Sequence, residues 1–366
     1  MLTACAKQPA ISVTNDTDTD RINEIVEVTP VPEVLKNGDK ALFDSKGEEV
    51  PYQITYDGIL IFPATVAANS TAAYTVRDVA PSATDTLIAY TMRPDLQDDF
   101  AWENEHSGYR LYGPLFKRGG GKVHGYDIWC KRNPAPIVDQ LYDNNATGIT
   151  YHKDHGLGFD GYTVGPTLGA GGCALVDSAG LCYATAYDKY EVLDKGPLRM
   201  TVRFTLDSLD YNGATVSETR TVSLDRNARL NKISTLYSGI PDSAWVAAGI
   251  VVHTDNPEGY TVLNDIDGFT VIDLSDDLSA GNGEIYIGAI VPGADEIAFM
   301  PFAKETARAN GQVVAKRRIK SGEPFVYYWG SGWNKRSVTD SDEWNKLMND
   351  SRTAIDHPLQ ANYNEK

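Results

Sequence analysis

The sequence predicts an all-β protein, in which a large antiparallel β-supersandwich follows a small β-domain and helices are few and short. Three observations predict this fold class. Short stretches of alternating apolar and polar residues recur along most of the chain, as expected for half-buried strands. Turn dipeptides such as Asn37-Gly38 and Asp57-Gly58 separate several of them. Helical periodicity is confined to two short segments.

The first 20 residues predict a lipoprotein-like start and a tether. Met-Leu-Thr-Ala-Cys resembles the end of a bacterial lipoprotein signal, in which small residues precede a cysteine that becomes lipidated, here Cys5. Only four residues precede Cys5, so we interpret this start as cut short. The polar run from Lys7 to Asp20 predicts a flexible tether. We therefore expect an exported protein that is periplasmic or lipid-anchored to the outer membrane.

Residues 21–80 predict the small β-domain and residues 85–366 the supersandwich, joined by a Pro- and Ser-containing linker over residues 80–84. In the larger part, Met200, Val202, Phe204 and Leu206 alternate as one buried face of a strand. Residues 134–143 and 340–349 predict helices, the second with Asp340 or Ser341 as its N-cap.

Composition excludes several functional classes. The net charge of −17 argues against nucleic acid and anionic membrane surfaces as partners. No run of about 18 apolar residues is present, so no transmembrane helix is predicted. Apart from Cys5 the cysteines are Cys130, Cys173 and Cys182, and none has metal-ligand spacing. A disulfide between Cys173 and Cys182 is sterically possible, but we expect buried free thiols instead.

The segment from Asp98 to Leu175 concentrates chemically active residues, including four of the six histidines. The central part of this segment contains six basic residues and a single acid, Asp127. The basic residues are Arg110, Lys117, Arg118, Lys122, Lys131 and Arg132. Such a local reversal of charge in an acidic chain predicts an anion-binding cleft. The alternative is a basic loop exposed to solvent.

The motif YHKDHG carries the acid–base candidates. His152 and His155, with Tyr151 and Asp154 beside them, offer imidazoles that titrate near neutrality and a phenol. Three interpretations remain open: general acid and base, ligands of a divalent metal together with His106 or His124, or structural histidines. No organic cofactor is predicted, because the glycine-rich runs lack the phosphate-binding and dinucleotide-binding patterns.

Aromatic side chains accompany these histidines and favour sugar rings, which present apolar C–H faces. They include Trp102, Trp129 and Tyr162 and, far downstream, Trp333. On β-strands, many such residues belong to the core instead.

Several motifs together resemble a bacterial family first catalogued as a domain of unknown function. They are WENEHSGYRLYGP, HGYDIWCKR, YHKDHGLGFDGYTVGPTLGAGG, YEVLDKGPLRMTVRF, ETRTVSLD and YYWGSGW, and the resemblance covers nearly the whole chain after residue 20. It implies a galactose-mutarotase-like β-supersandwich of the kind shared by polysaccharide lyases. It also implies dehydratase activity on uronic-acid oligosaccharides.

Elimination from a uronate removes the C5 proton and expels the C4 substituent, so it requires a donor for the carboxylate, a base and an acid. We expect Arg110 to bind the carboxylate through its bidentate fork, with a structural ion pair to Glu103 or Glu105 as the alternative. His152 and His155 are the expected base and acid, and Tyr151 is a second proton carrier. The expected substrate-binding residues are His124, Trp129, Trp102, Glu103, His106, Tyr162 and Trp333.

The sequence therefore predicts an exported carbohydrate-active lyase, or dehydratase, that acts on an acidic oligosaccharide. Two alternatives are a glycan-binding lipoprotein without catalysis and a glycoside hydrolase or sugar epimerase on the same scaffold.

Overall fold

The predicted all-β architecture is confirmed. A computed structural model describes residues 10–93, 98–274 and 281–364. Cys5 lies outside these residues. Every strand pair in the described ranges is antiparallel, apart from one isolated parallel bridge between Tyr126 and Gly169.

In chain order the strands are β1 Ala10–Asn15, β2 Arg21–Val28, β3 Ala41–Phe43, β4 Glu49–Val50, β5 Gln53–Ile54, β6 Leu60–Val66, β7 Ser70–Arg77, β8 Ala89–Arg93, β9 Asp99–Glu103, β10 Ser107–Leu111, β11 Asp127–Lys131, β12 Gly158–Asp160, β13 Gly172–Asp177, β14 Gly180–Cys182, β15 Tyr187–Lys195, β16 Arg199–Tyr211, β17 Ala214–Asp225, β18 Leu230–Ser238, β19 Ser243–His253, β20 Tyr260–Leu263, β21 Gly268–Leu274, β22 Glu284–Ile290, β23 Glu296–Thr306, β24 Ala309–Lys320, β25 Phe325–Trp333 and β26 Gln360–Asn364. The α-helices are α1 Pro114–Arg118, α2 Val138–Ala146 and α3 Ser341–Asp356, and single 3₁₀ turns occur at Glu33–Leu35 and Asn264–Ile266. Among these described segments, no helix has both the length and the apolar character needed to cross a membrane.

The small β-domain is built from both ends of the described chain. One sheet has the strand order β26-β1-β7-β3-β4 and the other has the order β2-β6-β5. Their facing residues, among them Ile11, Val13, Phe62 and Tyr74, form one buried core. The tether predicted for residues 7–20 is therefore wrong from Ala10 onward, and the C-terminal strand β26 belongs to this domain rather than to the supersandwich.

The supersandwich packs an eight-stranded sheet, β15-β16-β17-β18-β25-β22-β21-β20, together with a five-stranded sheet, β14-β13-β19-β24-β23. Met200, Val202, Phe204 and Leu206 of β16 all point into this core, as their alternation predicted. Strand β17 pairs with β16 along nearly the full length of both strands.

A third sheet of order β12-β11-β10-β9-β8 positions most of the candidate residues. One of its faces joins the supersandwich core through apolar residues such as Phe100, Tyr109 and Ile128. The opposite face carries Arg110 and several carboxylates, because successive strand residues alternate between faces. Helix α2 and the loop of residues 147–157 cover this second face through Leu141 and Tyr151, among others.

The two predicted helices form with shifted ends. Helix α2 begins at Val138 rather than at residue 134. Helix α3 starts where predicted, because the Asp340 carboxylate accepts a hydrogen bond from the Glu343 N–H, and it continues to Asp356. It packs against the eight-stranded sheet so closely that a Cβ atom on Gly288 would lie 2.5 Å from the Met348 sulfur.

Candidate functional site

The covered face of the third sheet holds a buried ionic group that we call the Arg110 cluster: Arg110, Asp99, Asp127, Asp160 and Tyr112. Arg110 Nε donates to Asp127 Oδ2 at 3.1 Å, and Nη2 donates to Asp160 Oδ2 at 2.7 Å and to the Tyr112 hydroxyl at 2.8 Å. The Tyr112 hydroxyl in turn donates to Asp127 Oδ2 at 2.6 Å. Asp99 Oδ2 lies 3.9 Å from Arg110 Nη1. The group is thus held together by one guanidinium shared between three carboxylates.

Burial and charge act against each other in this cluster. Burial opposes the charge on Arg110, but the surrounding Tyr112, Asp127 and Asp160 outweigh that effect and raise its pKa well above the ordinary value. Burial raises the pKa of Asp99 to about 7, with Arg110 opposing the rise and Asp127 adding to it. Asp99 is therefore a carboxyl group that changes its charge near neutrality.

His152 stands at the solvent side of the cluster. Its side chain is 62% exposed, and its Nδ1 lies 3.6 Å from Asp160 Oδ2 and 3.4 Å from the Asp160 carbonyl oxygen. Both acceptors face Nδ1, so they favour the tautomer with the proton on that nitrogen and leave Nε2 as an acceptor. An imidazole held at Nδ1 by a backbone carbonyl oxygen, with a buried carboxylate 3.6 Å away, has a geometry suited to a general base.

Aromatic side chains form the floor beside His152. The Tyr151 ring lies 4.6 Å from the His152 ring and 5.0 Å from the Trp129 ring, centroid to centroid. Trp129 also contacts Tyr142 of α2, and the Arg110 guanidinium lies 5.1 Å from the Trp129 ring centroid. Burial raises the pKa of Tyr151, so its phenol remains protonated at neutral pH.

The 147–157 loop brings two more candidates to the surface near His152. Lys153 and His155 are both exposed. Asp154 accepts hydrogen bonds from the N–H groups of Gly156 and Gly158 and from Arg132 Nε at 2.6 Å, and these contacts fix the turn. His152 and His155 therefore share one anchored loop, but of the two only His152 approaches the Arg110 cluster, through Asp160.

The expected role of Arg110 in binding a substrate carboxylate is not supported, because its side chain is 4% exposed and carboxylates surround it. Arg110 instead forms a structural ion pair, which was the alternative prediction, but its partners are Asp127 and Asp160 rather than Glu103 or Glu105. The predicted basic cleft is also wrong, because acids from distant segments neutralise most of that run. Lys117 pairs with Asp188 and Asp207, Arg118 with Asp98, Lys131 with Glu103 and Arg132 with Asp154.

Glu103 has a structural position rather than the substrate-binding one predicted for it. Its carboxylate is buried, accepts hydrogen bonds from the N–H groups of Ile137 and Val138 at 2.9 Å and pairs with Lys131 Nζ at 2.6 Å. Glu103 thus supplies the negative charge at the start of α2, which offers no capping side chain of its own.

Three predicted sugar-binding aromatics lie in the core. Trp102 is fully buried and donates its Nε1–H to Asn231 Oδ1. Trp333 is buried against Phe159 and donates its Nε1–H to the Asn282 carbonyl oxygen. Tyr162 is buried against His253. Trp129, which was also expected to contact substrate, is fully buried under Tyr151.

His106 and His124 lie apart from His152. The His124 ring stacks on Tyr183 at 4.3 Å, and burial lowers its pKa to about 4. His106 Nε2 lies 3.3 Å from Asn227 Oδ1, and burial lowers its pKa to about 3. Within residues 10–93, 98–274 and 281–364, no set of three or more His, Cys, Asp or Glu side chains is arranged to hold a metal ion, and the four histidines do not form the metal site that the sequence left open.

Sequence reasoning missed the carboxylates of the Arg110 cluster and one histidine. The only available signal for Asp160 was its place one residue after Phe159 in a short strand, which puts it on the face opposite the core. His253 contacts Asp273 and the Thr163 carbonyl oxygen, and it joins three segments of the supersandwich.

Cys130, Cys173 and Cys182 are free thiols, so the disulfide considered between Cys173 and Cys182 is not formed.

A depression of ≈ 490 Å³ on the small β-domain, lined by Thr29, Pro30, Val31, Lys36, Ile54 and Gly58, lacks paired acid–base groups. We therefore place the candidate site at His152, where an oriented imidazole reaches solvent.

Comparison with known proteins places the chain in a family. It is 24% identical, over 389 aligned residues, to an uncharacterized protein designated P7 from Formosa agariphila, with 99% of this chain and 96% of that protein covered. Its fold is similar to the crystal structure of an alpha-mannosidase from Enterococcus faecalis (TM-score 0.52) and to that of a glycosyl hydrolase family 38 protein from the same species (TM-score 0.51). Both are 9% identical to this chain and align with 98% and 99% of it, but it covers only 46% and 48% of them. The family described as a domain of unknown function (DUF4861) matches residues 13–361, and the protein belongs to that family.

Proposed function

We propose that this protein is an exported carbohydrate-active enzyme that eliminates water from a uronic acid at the end of an acidic oligosaccharide. The observation that carries the proposal is His152: an exposed imidazole whose Nδ1 faces the buried Asp160 carboxylate. The hydrogen-bonded link from Asp160 to Arg110 and Asp127 fixes that carboxylate on a rigid sheet. The Asp160 carbonyl oxygen and the nearby fixed carboxylate together orient the imidazole before substrate binds, as proton transfer requires.

In the proposed reaction, His152 Nε2 takes the proton from C5 of the uronate. The C4–O bond breaks, and the electron pair of the C5–H bond forms the C4=C5 double bond. The departing hydroxyl receives a proton from the Tyr151 phenol and leaves as water. Protons return to Tyr151 from solvent and leave His152 to solvent, so the enzyme is restored.

The C5 proton is poorly acidic while the uronate carboxylate carries its full charge, so a cation or a donor must stabilise the enolate-like transition state. Arg110 is buried and paired, and therefore we assign this role to Lys153, which is exposed next to His152. His155, exposed in the same loop, is a further donor to the substrate. The Tyr151 ring offers an apolar surface for the sugar ring.

The fold comparisons agree with a carbohydrate-active enzyme, since the two similar crystal structures are described as an alpha-mannosidase and a member of glycosyl hydrolase family 38. They supply no support for elimination in particular, which depends on the chemistry of His152 and Tyr151. Export, with lipid attachment at Cys5, also belongs to the proposal. Mass spectrometry of the protein from bacterial membranes tests it, because an unmodified Cys5 in the mature chain would contradict lipid attachment.

A panel of oligosaccharides ending in different uronic acids tests the activity. We expect ultraviolet absorbance from an unsaturated uronate to appear with at least one substrate, together with a product lighter by one water. Release of two saturated sugars would instead identify a hydrolase. Binding without a new product across the panel would identify a glycan-binding protein, and either outcome would overturn the elimination proposal.

A further inference from the structure

The sheet β14-β13-β19-β24-β23 carries a second apolar cluster on the face that points away from the supersandwich core. Along β19, Val246 and Ala248 belong to the main core, whereas Ala247 between them belongs to this outer cluster. Its members come from the strands of this sheet and from the adjoining loops, and the described residues of other sheets and helices contribute none. We call this surface the Trp245 face, and its larger side chains are Val176, Leu181, Tyr183, Trp245 and Met300.

The strand register places an exposed indole beside a guanidinium on this face. Trp245 of β19 pairs directly with Arg318 of β24 and with Val176 of β13, so the three side chains project to the same side. Arg318 Nε donates to the Ser243 hydroxyl at 3.0 Å, and the Arg318 main-chain N–H donates to the Asp295 carboxylate at 3.0 Å. The guanidinium forms no ion pair with any residue in the described ranges, and its Nη groups are therefore available to a ligand.

Tyr183 presents a hydroxyl donor on the same face. The Leu168 N–H donates to Gln312 Oε1 at 3.2 Å, which fixes the orientation of the Gln312 amide group. Gln312 Nε2 then donates to the Tyr183 hydroxyl at 3.0 Å. Because the phenol oxygen accepts this bond, its own hydrogen is available to a ligand.

His124 adds an acceptor to this donor. Its ring stacks on the Tyr183 ring, and its Nδ1 lies 3.2 Å from both the Ala184 carbonyl oxygen and the Thr185 hydroxyl. A carbonyl oxygen can only accept, so the proton belongs on Nδ1 and Nε2 keeps its lone pair. Burial lowers the pKa of His124 to about 4, and the ring is neutral at pH 7. A donor and an acceptor side by side match the neighbouring hydroxyl groups of a sugar.

The indole and the Tyr183–His124 pair are spaced for a chain of sugars. Tyr183 follows the last pair of β14 and comes next to Ala174, which pairs with Ala247 of β19. Tyr183 is thus two strands and one two-residue step from Trp245, a separation of about 12 Å from the strand spacing and the rise per residue. A short oligosaccharide bridges this distance, whereas a single sugar ring does not.

We propose that the Trp245 face binds an acidic oligosaccharide, on a surface that shares no residue with the His152 site. One sugar stacks its apolar face on the Trp245 indole and places its carboxylate on Arg318. A second sugar presents its hydroxyl groups to the Tyr183–His124 pair. The acidic class follows from the unpaired guanidinium beside the indole, and not from the reaction assigned to His152.

Acrylamide quenching of tryptophan fluorescence tests the proposal. Trp245 is 38% exposed, whereas the other five of the six tryptophans are at most 2% exposed, so quenching reports on Trp245. The probes are tetragalacturonate and neutral maltotetraose, added at constant ionic strength. We expect tetragalacturonate to protect Trp245 in a saturable manner, and equally in the His152→Gln protein, and maltotetraose to bind about tenfold more weakly.

Three variants separate the contacts. Arg318→Gln should weaken binding of tetragalacturonate about tenfold and leave binding of maltotetraose unchanged, because it removes only the charge-assisted hydrogen bond. Tyr183→Phe keeps the ring, loses the hydroxyl donor and should weaken both probes severalfold. Trp245→Ala, followed by calorimetry, should weaken both about tenfold. Tyr56→Ala is the matched control, because Tyr56 is an aromatic residue exposed on the small β-domain.

The proposal is overturned if tetragalacturonate does not protect Trp245, or if Tyr56→Ala weakens binding as much as Trp245→Ala does. Equal affinity for the two probes would overturn the assignment of an acidic ligand. Protection that rises with protein concentration in the absence of sugar, together with a dimer in sedimentation, would identify a second copy of this chain as the occupant and would also overturn it.

Discussion

Replacement of Arg110 by methionine measures how strongly the candidate site depends on its buried ionic group. The substitution keeps most of the side-chain volume but leaves the carboxylates of Asp127 and Asp160, both almost fully buried, without their shared cation. Removing one partner of a buried ion pair costs about 3–5 kcal/mol, because the remaining charge is uncompensated. Whole domains are stable by only about 5–15 kcal/mol, so this loss is large.

Urea unfolding followed by far-ultraviolet circular dichroism measures the effect. The control is Arg132→Met, since the Arg132 side chain is 40% exposed and its single ion pair to Asp154 is expected to contribute about 0–1 kcal/mol. A free energy of unfolding for Arg110→Met within about 1 kcal/mol of the unsubstituted protein would refute the structural role of the cluster. It would also reopen substrate binding by Arg110.

Three further predictions concern stability. Glu103→Gln removes the charge that caps α2 and leaves the buried Lys131 without its partner, and we expect a loss of about 3–5 kcal/mol in urea unfolding, whereas an unchanged midpoint would exclude this capping role. Because the folded pKa of Asp99 is raised to about 7, above its unfolded value, its contribution to stability is complete at low pH and is lost as the pH rises towards 7. Asp99→Asn should therefore reduce the decline in stability between pH 5 and 7 by about 2 kcal/mol, and an identical pH profile would contradict the raised pKa. Gly288→Ala forces a methyl group against the end of the buried Met348 side chain and should cost about 1–3 kcal/mol by thermal unfolding, while a stable variant would show that Met348 or α3 moves aside.

Alternation along the strands was sufficient to predict the fold class. In β16 the residues Met200, Val202, Phe204 and Leu206 had to share a face, and they do. The strand Ala10–Asn15 escaped this reasoning because only Ile11 and Val13 carry its apolar face, between polar neighbours that resemble a linker. Its partner β26 lies at the other end of the chain, and no local signal connects the two.

The candidate site was harder to predict, because its charges are balanced by residues that are distant in sequence. The basic run looked unpaired in one dimension, yet Lys117 meets Asp207 and Arg110 meets Asp160 once the sheets form. The sequence could not show whether Trp102 faces a sugar or the core, because tryptophan is favoured on either face of a strand such as β9. In the structure Trp102 lies in the core. His152 and His155 lie in one loop, an arrangement that the sequence left open, but the acceptors of Asp160 beside His152 became visible only with the fold.

The most direct test compares the turnover of His152→Gln with that of the unsubstituted protein on a uronate oligosaccharide, measured as absorbance of the unsaturated product. The account predicts a fall in kcat of about 10²–10⁴, the contribution of a positioned general base, with unfolding behaviour unchanged because His152 is exposed. His155→Gln should retain more activity, since no contact ties it to the Arg110 cluster in the described structure. Full turnover by a folded His152→Gln protein would contradict the central claim.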